Sequence, residues 1–196
     1  MSQGAFLSAA ANPLDTSPTK RGKLVLDRLL CTPVPPPPPD VEADEPPAAE
    51  LGMCKVDQYA AHRSQQRCAG CHQAMDGIGF GLERYDRAGR YRETEEGRPE
   101  CAISGQGELP DLGPFSGPAE LSDLLVGADL LDQCLVAHLF EHAMGRPAEP
   151  AESALLARHE ASYVDSGRRF DALVLALVQD ESFAHGRAPH PSMEQP

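Results

Sequence analysis

The sequence predicts a mainly α fold, in which a cysteine-bearing segment with a loop-rich insert precedes a small C-terminal helical bundle. Three observations carry that expectation. Apolar residues recur at helical spacing in several separate stretches, two of them opened by a serine followed within two residues by proline. A Cys-x-x-Cys-His pentapeptide stands at Cys68 to His72. Glycines at 77, 79, 81, 89, 97, 105 and 107 then punctuate the stretch from Asp76 to Leu112, which reads as loops and short strands.

Taken in order, Ser17-Pro18 caps and opens a helix from Thr19 to Leu30, with Val25, Leu26, Leu29 and Leu30 on one stripe. That helix must stop before Pro33. Five consecutive prolines, Pro35 to Pro39, lack backbone donors and should lie as a polyproline II rod running into an acidic stretch. A spacer is the plain reading of this segment. A short polar helix fits Lys55 to Ser64 and leads directly into the pentapeptide. Beyond it, Arg90 to Glu93 and Cys101 to Ser104 are strand-like and could pair as a small ribbon. Helical periodicity returns after Ser116-Gly117-Pro118 through Leu121, Leu124 and Leu125. A further helix fits Ala128 to Met144, closed by Gly145 and Pro147, and two more fit Glu152 to Tyr163 and Phe170 to Gln179. The last is so apolar that it is expected at the centre of the bundle. The expected organisation is therefore an N-terminal helix in 1–31, a Pro-rich acidic linker in 32–50, the cysteine-bearing segment in 51–115, a C-terminal helical domain in 116–184 and a disordered tail in 185–196.

Composition narrows the function classes. With 17 Lys and Arg against 30 Asp and Glu the formal net charge is −13, a field that repels nucleic acid and anionic membrane surfaces. No stretch approaches the roughly 20 apolar residues of a membrane span. Met1 to Ala11 lacks the basic start and apolar core of an export signal. Eight of the 19 prolines fall between Pro33 and Pro47, so the excess is local and marks the linker.

Cys-x-x-Cys-His is the attachment signature of haem c: two thiols add to the haem and the adjacent histidine ligates the iron. On this reading Cys68 and Cys71 hold the haem covalently, His72 is the proximal iron ligand, and the segment is cytochrome-c-like. Three rivals stay in view. A dithiol redox pair would sit at a helix start in a βαβ setting, which is not seen here. Zinc could take Cys68, Cys71 and His72 with Cys54 or Cys101, although adjacent Cys71 and His72 strain a tetrahedral site. A Cys68–Cys71 disulfide is strained and uncommon.

A wider set of residues resembles a family. Lys20-Arg21-Gly22-Lys23, Leu29-Leu30-Cys31, Cys-Ala-Gly-Cys-His, Met75-Asp76-Gly77-Ile78-Gly79-Phe80 and Glu83-x-x-Asp86-x-x-Gly89-Arg90-x-Arg92 are similar to the first of the paired domains of unknown function 1588 and 1585. The tail, from Cys134 through His142-Ala143-Met144-Gly145-Arg146 to Phe183, resembles the second. Such domains close large exported cytochrome-like proteins, so the resemblance implies haem, a periplasmic or extracellular setting and an upstream domain of a longer chain, without naming a reaction. The family usually has proline at the position of Gly77, which here is expected to loosen the turn after Met75.

The opposite face of the iron needs another ligand or solvent. Met75 lies three residues from His72 and so on the same side of a helix. Met144, at a distant helix end, is the candidate distal ligand, with His142 and His138 as rivals and a core role as the plain reading of each. Arg90 and Arg92, neighbours on one side of a short strand, are candidate contacts to the haem propionates; pairing with Glu83, Asp86 and Glu93 is the alternative. Of the remaining thiols, Cys31 and Cys134 could staple the first helix to the C-terminal bundle. Cys54 and Cys101 could close the loop around the haem segment, adding about 3–4 kcal/mol. Buried free cysteines are the alternative for all four.

The chain is thus expected to be a c-type haem electron-transfer domain with iron as its metal, the terminal module or partner of a larger exported redox protein. It reads as an electron carrier rather than a stand-alone enzyme. Its acidic charge favours a basic redox partner protein. The competing reading is a non-catalytic interaction module stabilised by zinc or disulfides. A haem peroxidase would need a distal acid or base, for which His142 and Glu141 are the nearest to a pair.

Overall fold

A computed structural model describes residues 4–36 and 52–184. The mainly α expectation holds: the only strands among the described residues form two small antiparallel ribbons. The core of the linker and the 185–196 tail lie outside the described residues. The chain divides into two compact units, Met1–Asp129 and Leu130–Pro196. The division falls after 129, so the helix that follows Ser116 lies within the first unit.

The first unit begins with α1 (Gly4–Ala9) and α2 (Pro18–Arg28), two helices where the sequence suggested one. Ser17 caps α2 as expected, its hydroxyl accepting from the Lys20 amide at 3.3 Å. Helix α3 (Lys55–Arg63) leads into α4 (Gln66–Phe80), and Tyr59 of α3 meets Phe80 of α4 edge to face at 5.5 Å. Burial, partly offset by a hydrogen bond with Ser17, pushes the Tyr59 phenol up to about 12. The ribbons are β1 (Thr94–Glu95) with β2 (Arg98–Ala102), and β3 (Gln106–Leu109) with β4 (Gly113–Ser116) in the register Gln106↔Ser116. The first ribbon is the one the sequence suggested, displaced by a few residues. Helix α5 (Gly117–Gly127) closes the unit and buries Leu121 and Leu125.

Helix α4 runs straight through Gly77 and Gly79, two of the glycines that had suggested a loop. They are there because neighbouring backbones press against it. A Cβ on Gly79 would stand 1.8 Å from the Pro18 carbonyl oxygen, and one on Gly22 of α2 would stand 1.7 Å from the Met75 carbonyl oxygen. The two helices therefore cross in backbone contact. Gly77 is not in a turn either: it lies within α4, with the Glu108 carbonyl of β3 3.2 Å from where its Cβ would be.

A buried charge cluster fixes the chain as it leaves α4. Arg21, 1% exposed, donates to the carbonyls of Leu82 at 2.8 Å, Tyr85 at 2.7 Å and Asp86 at 2.9 Å, and to Glu83 Oε1 at 3.0 Å. Glu83 Oε2 accepts from Thr16 Oγ1 at 2.6 Å and from Arg92 at 3.0 Å, with Lys55 Nζ 3.6 Å away. Buried charges persist only when paired and hydrogen-bonded, and this cluster meets that condition with three cations around one carboxylate.

The second unit contains α6 (Leu130–Met144), α7 (Ser153–Asp165), α8 (Phe170–Gln179) and α9 (Glu181–Ala184). Its core is two small clusters, Val136 with Tyr163 and Leu173, and Phe140 with Leu155 and Leu177. Helix α8 is not at the centre of this bundle. It buries only Leu173 and Leu177 and leaves Phe170, Leu175 and Val178 about half exposed, because α6 and α7 cover one side of it.

Two expectations follow. In α4, Gly79→Ala should cost about 1–3 kcal/mol by overpacking, whereas Gly70→Ala, which meets nothing within 4 Å, should gain about 0.5–1 kcal/mol from helix propensity; urea unfolding distinguishes them. In the second unit, burial pushes His159 below its ordinary value of 6.5, against a smaller upward pull from Asp180, and its Nε2 has no hydrogen-bond partner. The unfolded chain then takes up a proton at higher pH than the folded one, so stability should fall as pH drops through about 6.5. The urea midpoint should decrease between about pH 7.5 and 5.5, and His159→Phe should flatten that part of the slope.

Candidate haem-attachment site

Cys68, Cys71, His72 and Met75 follow one another along α4 at spacings of three, four and seven from the first, which puts all four on one face of the helix. Cys68 and Cys71 are the free cysteines, both partly exposed. Cys31, Cys54, Cys101 and Cys134 are all disulfide-bonded, so the alternative of buried free thiols is overturned for these four. Cys54 pairs with Cys101 across 47 residues, as the sequence suggested. The loop it closes corresponds to about 4 kcal/mol of chain entropy. The same bond joins the two sulfurs either of which would have completed a zinc site with Cys68, Cys71 and His72.

His72 is held by its helix neighbour one turn on. Its Nδ1 lies 3.2 Å from Asp76 Oδ2 and 3.3 Å from Oδ1. Asp76 has no exposed surface, and its Oδ1 also accepts from Thr19 Oγ1 of α2 at 2.6 Å. A carboxylate only accepts, so the Nδ1 facing it carries the hydrogen and Nε2 is the nitrogen the ring would present to a metal. Histidines that bind metals are held in this way by a carboxylate or carbonyl on the other nitrogen. The donor set therefore fits a haem c site: two thiols a turn apart, partly open to solvent, with an oriented imidazole beside them.

The other candidates are placed as follows. Met75 shares the His72 face and is 6% exposed, its backbone pressed against Gly22, so the argument against it stands. Met144 ends α6 in the second unit and packs against Phe140, Leu155 and Leu177. His138 of the same helix faces Glu141 at 3.8 Å. Arg92 donates to Glu83 Oε2, to the Glu83 carbonyl at 3.0 Å and to Thr16 Oγ1 at 2.9 Å. Arg90, largely exposed, pairs with Asp86 at 2.6 Å. Both arginines thus pair with carboxylates of the chain, Arg92 with Glu83 and Arg90 with Asp86. Their neighbours do similar work: Arg84 donates to the Ile103 carbonyl at 3.2 Å and Arg87 to the Pro13 carbonyl at 2.9 Å.

Asp76, Thr19 and Arg21 were not singled out from the sequence. The signal for Asp76 was present in the His72-x-x-x-Asp76 spacing, which pairs the two on any helix that continues through Gly77. Thr19 and Arg21 had no local signal, since both act across the contact between α2 and α4.

Residues 1–95 match a family model described as a protein of unknown function, DUF1588, and residues 113–183 match a second, DUF1585, of the same description. No curated protein and no solved structure matches the chain. The first match takes in α1 to α4, the pentapeptide and Glu83; the second takes in α5 to α8. Residues 1–95 thus belong to the DUF1588 family and residues 113–183 to the DUF1585 family.

Proposed function

We propose that the chain is a c-type haem-binding electron-transfer domain, acting as a module or partner of a larger exported redox protein. The observation that carries this reading is the state of the pentapeptide: its two thiols are the free ones in a chain that otherwise oxidises its cysteines, and they stand beside an imidazole oriented by a buried carboxylate. Cys68 and Cys71 would hold the haem and His72 Nε2 the iron. Bound haem c supplies a one-electron iron(III)/iron(II) couple. The chain's contribution is to fix the attachment helix: α2 in backbone contact on one side, β3 on another, and the Arg21–Glu83 cluster at its end.

Disulfides form and persist in oxidising compartments, and thioether attachment of haem is compatible with the same setting, which supports a periplasmic or extracellular location. Among the described residues no helix is long and apolar enough to cross a membrane. The net charge of −13 favours a basic redox partner, which it would steer over about a Debye length of 8–10 Å at ordinary salt.

The test is a pyridine haemochrome spectrum of the chain, exported and coexpressed with haem-attachment machinery. The expected result is a c-type spectrum that persists after acid extraction and disappears in Cys68→Ser/Cys71→Ser. Colourless protein, carrying zinc or no metal at all, would replace this reading with the disulfide-stabilised interaction module.

A further inference from the structure

We propose that Asp76 is a positioning residue that tunes the iron through His72, and that Thr19 sets how strongly it does so. The inference rests on the haem reading above and extends it from attachment to control of the redox potential.

Asp76 is an unusual residue for its place. It sits in the middle of α4 with no exposed surface, where an unpaired carboxylate would be costly. It accepts from His72 Nδ1 at 3.2–3.3 Å on its own helix and from Thr19 Oγ1 at 2.6 Å across the helix contact. Packing alone would be served as well by a leucine. An asparagine of the same shape could turn its amide to donate to Nδ1, and Nε2 would then carry the hydrogen and be unfit to bind a metal. The acid is the variant of this shape that always selects the ligating tautomer.

It also sets the electron density of the ring. A carboxylate drawing on the Nδ1 hydrogen makes the imidazole a stronger donor through Nε2, which favours iron(III) over iron(II) and lowers the potential. Thr19 works the other way. Its hydroxyl donates to Oδ1, one of the two carboxylate oxygens that face His72 Nδ1 at 3.3 and 3.2 Å, and so draws charge from the carboxylate. Thr19 stands in the first turn of α2, between the capped start of the helix and Gly22. The crossing of α2 over α4 thus places the opposing donor.

Opposite effects are expected from two substitutions that are nearly isosteric. In haem-loaded, exported full-length protein, Asp76→Asn should raise the midpoint potential and lower the iron–histidine stretching frequency in the resonance Raman spectrum of the ferrous form. Thr19→Val should lower the potential and raise that frequency. A merely structural role would not move the two variants in opposite directions. Wild-type protein without covalent haem overturns the haem reading itself. Haem-loaded wild type and variants with the same potential and frequency, or with shifts of one sign, overturn the role of Asp76 while leaving attachment intact. If Asp76→Asn does not fold or load, the downward shift in Thr19→Val supports the proposal and an unshifted Thr19→Val overturns it.

Discussion

Gly22 and Gly79 let α2 and α4 touch backbone to backbone, and the first unit is organised around that contact. A side chain at either position would occupy the space of a carbonyl oxygen on the other helix. The two helices can therefore be brought this close only in one register, because sliding α2 along α4 by a residue would set a Cβ where only hydrogen fits. That register decides what else α2 does. Thr19 comes to rest over Asp76 and Arg21 over the chain that follows Phe80. The site and its support are thus two consequences of one packing constraint, and they lie on opposite sides of the same turn of α2.

Arg21 shows why the support is polar. The segment from Leu82 to Asp86 leaves α4 with carbonyls turned inward, and a buried carbonyl must find a donor. A guanidinium offers five donors in a fixed plane, and Arg21 spends its terminal nitrogens on three carbonyls and on Glu83. Glu83 in turn gathers Thr16 and Arg92, with Lys55 beside it. Such a cluster adds less to stability than an apolar core of equal volume might, but it is directional. It fixes where the chain turns after the haem-attachment helix.

The elements that sequence could specify were those with their own local signals. Helix α2 carries its serine cap and first-turn proline, and α6 its apolar stripe closed by Gly145. Helix α4 was not legible as a helix: the helical reading stopped at Ser64, before the pentapeptide. Gly77, Gly79 and Gly81 carry the ordinary marks of a loop, and what they provide here is close approach by Pro18, by Glu108 and by the Phe115 ring, none of which is visible locally. The pentapeptide was readable because its chemistry lies within five residues. The hydrogen bonds that complete it were not, since Thr19 and Asp76 are separated by 57 positions. Arg90 and Arg92 were read as candidate propionate contacts from their strand spacing alone, and the assignment of Asp86 to Arg90 and of Glu83 to Arg92 came only with the structure. Apolar content misplaced α8 for a similar reason: hydrophobicity measures what a helix can bury, not what its neighbours cover.

The functional account depends on Cys68 and Cys71 being reserved from the oxidation that joins the other cysteines. Peptide mass mapping of the exported chain, produced together with haem-attachment machinery and digested without reduction, tests this directly. Cleavage after Arg67 and Arg84 isolates residues 68–84, with both thiols and His72. The account requires that peptide to carry the mass of haem, with Cys54 and Cys101 recovered as linked peptides. Recovery of the same peptide with a Cys68–Cys71 disulfide, or with two unmodified thiols, would contradict it.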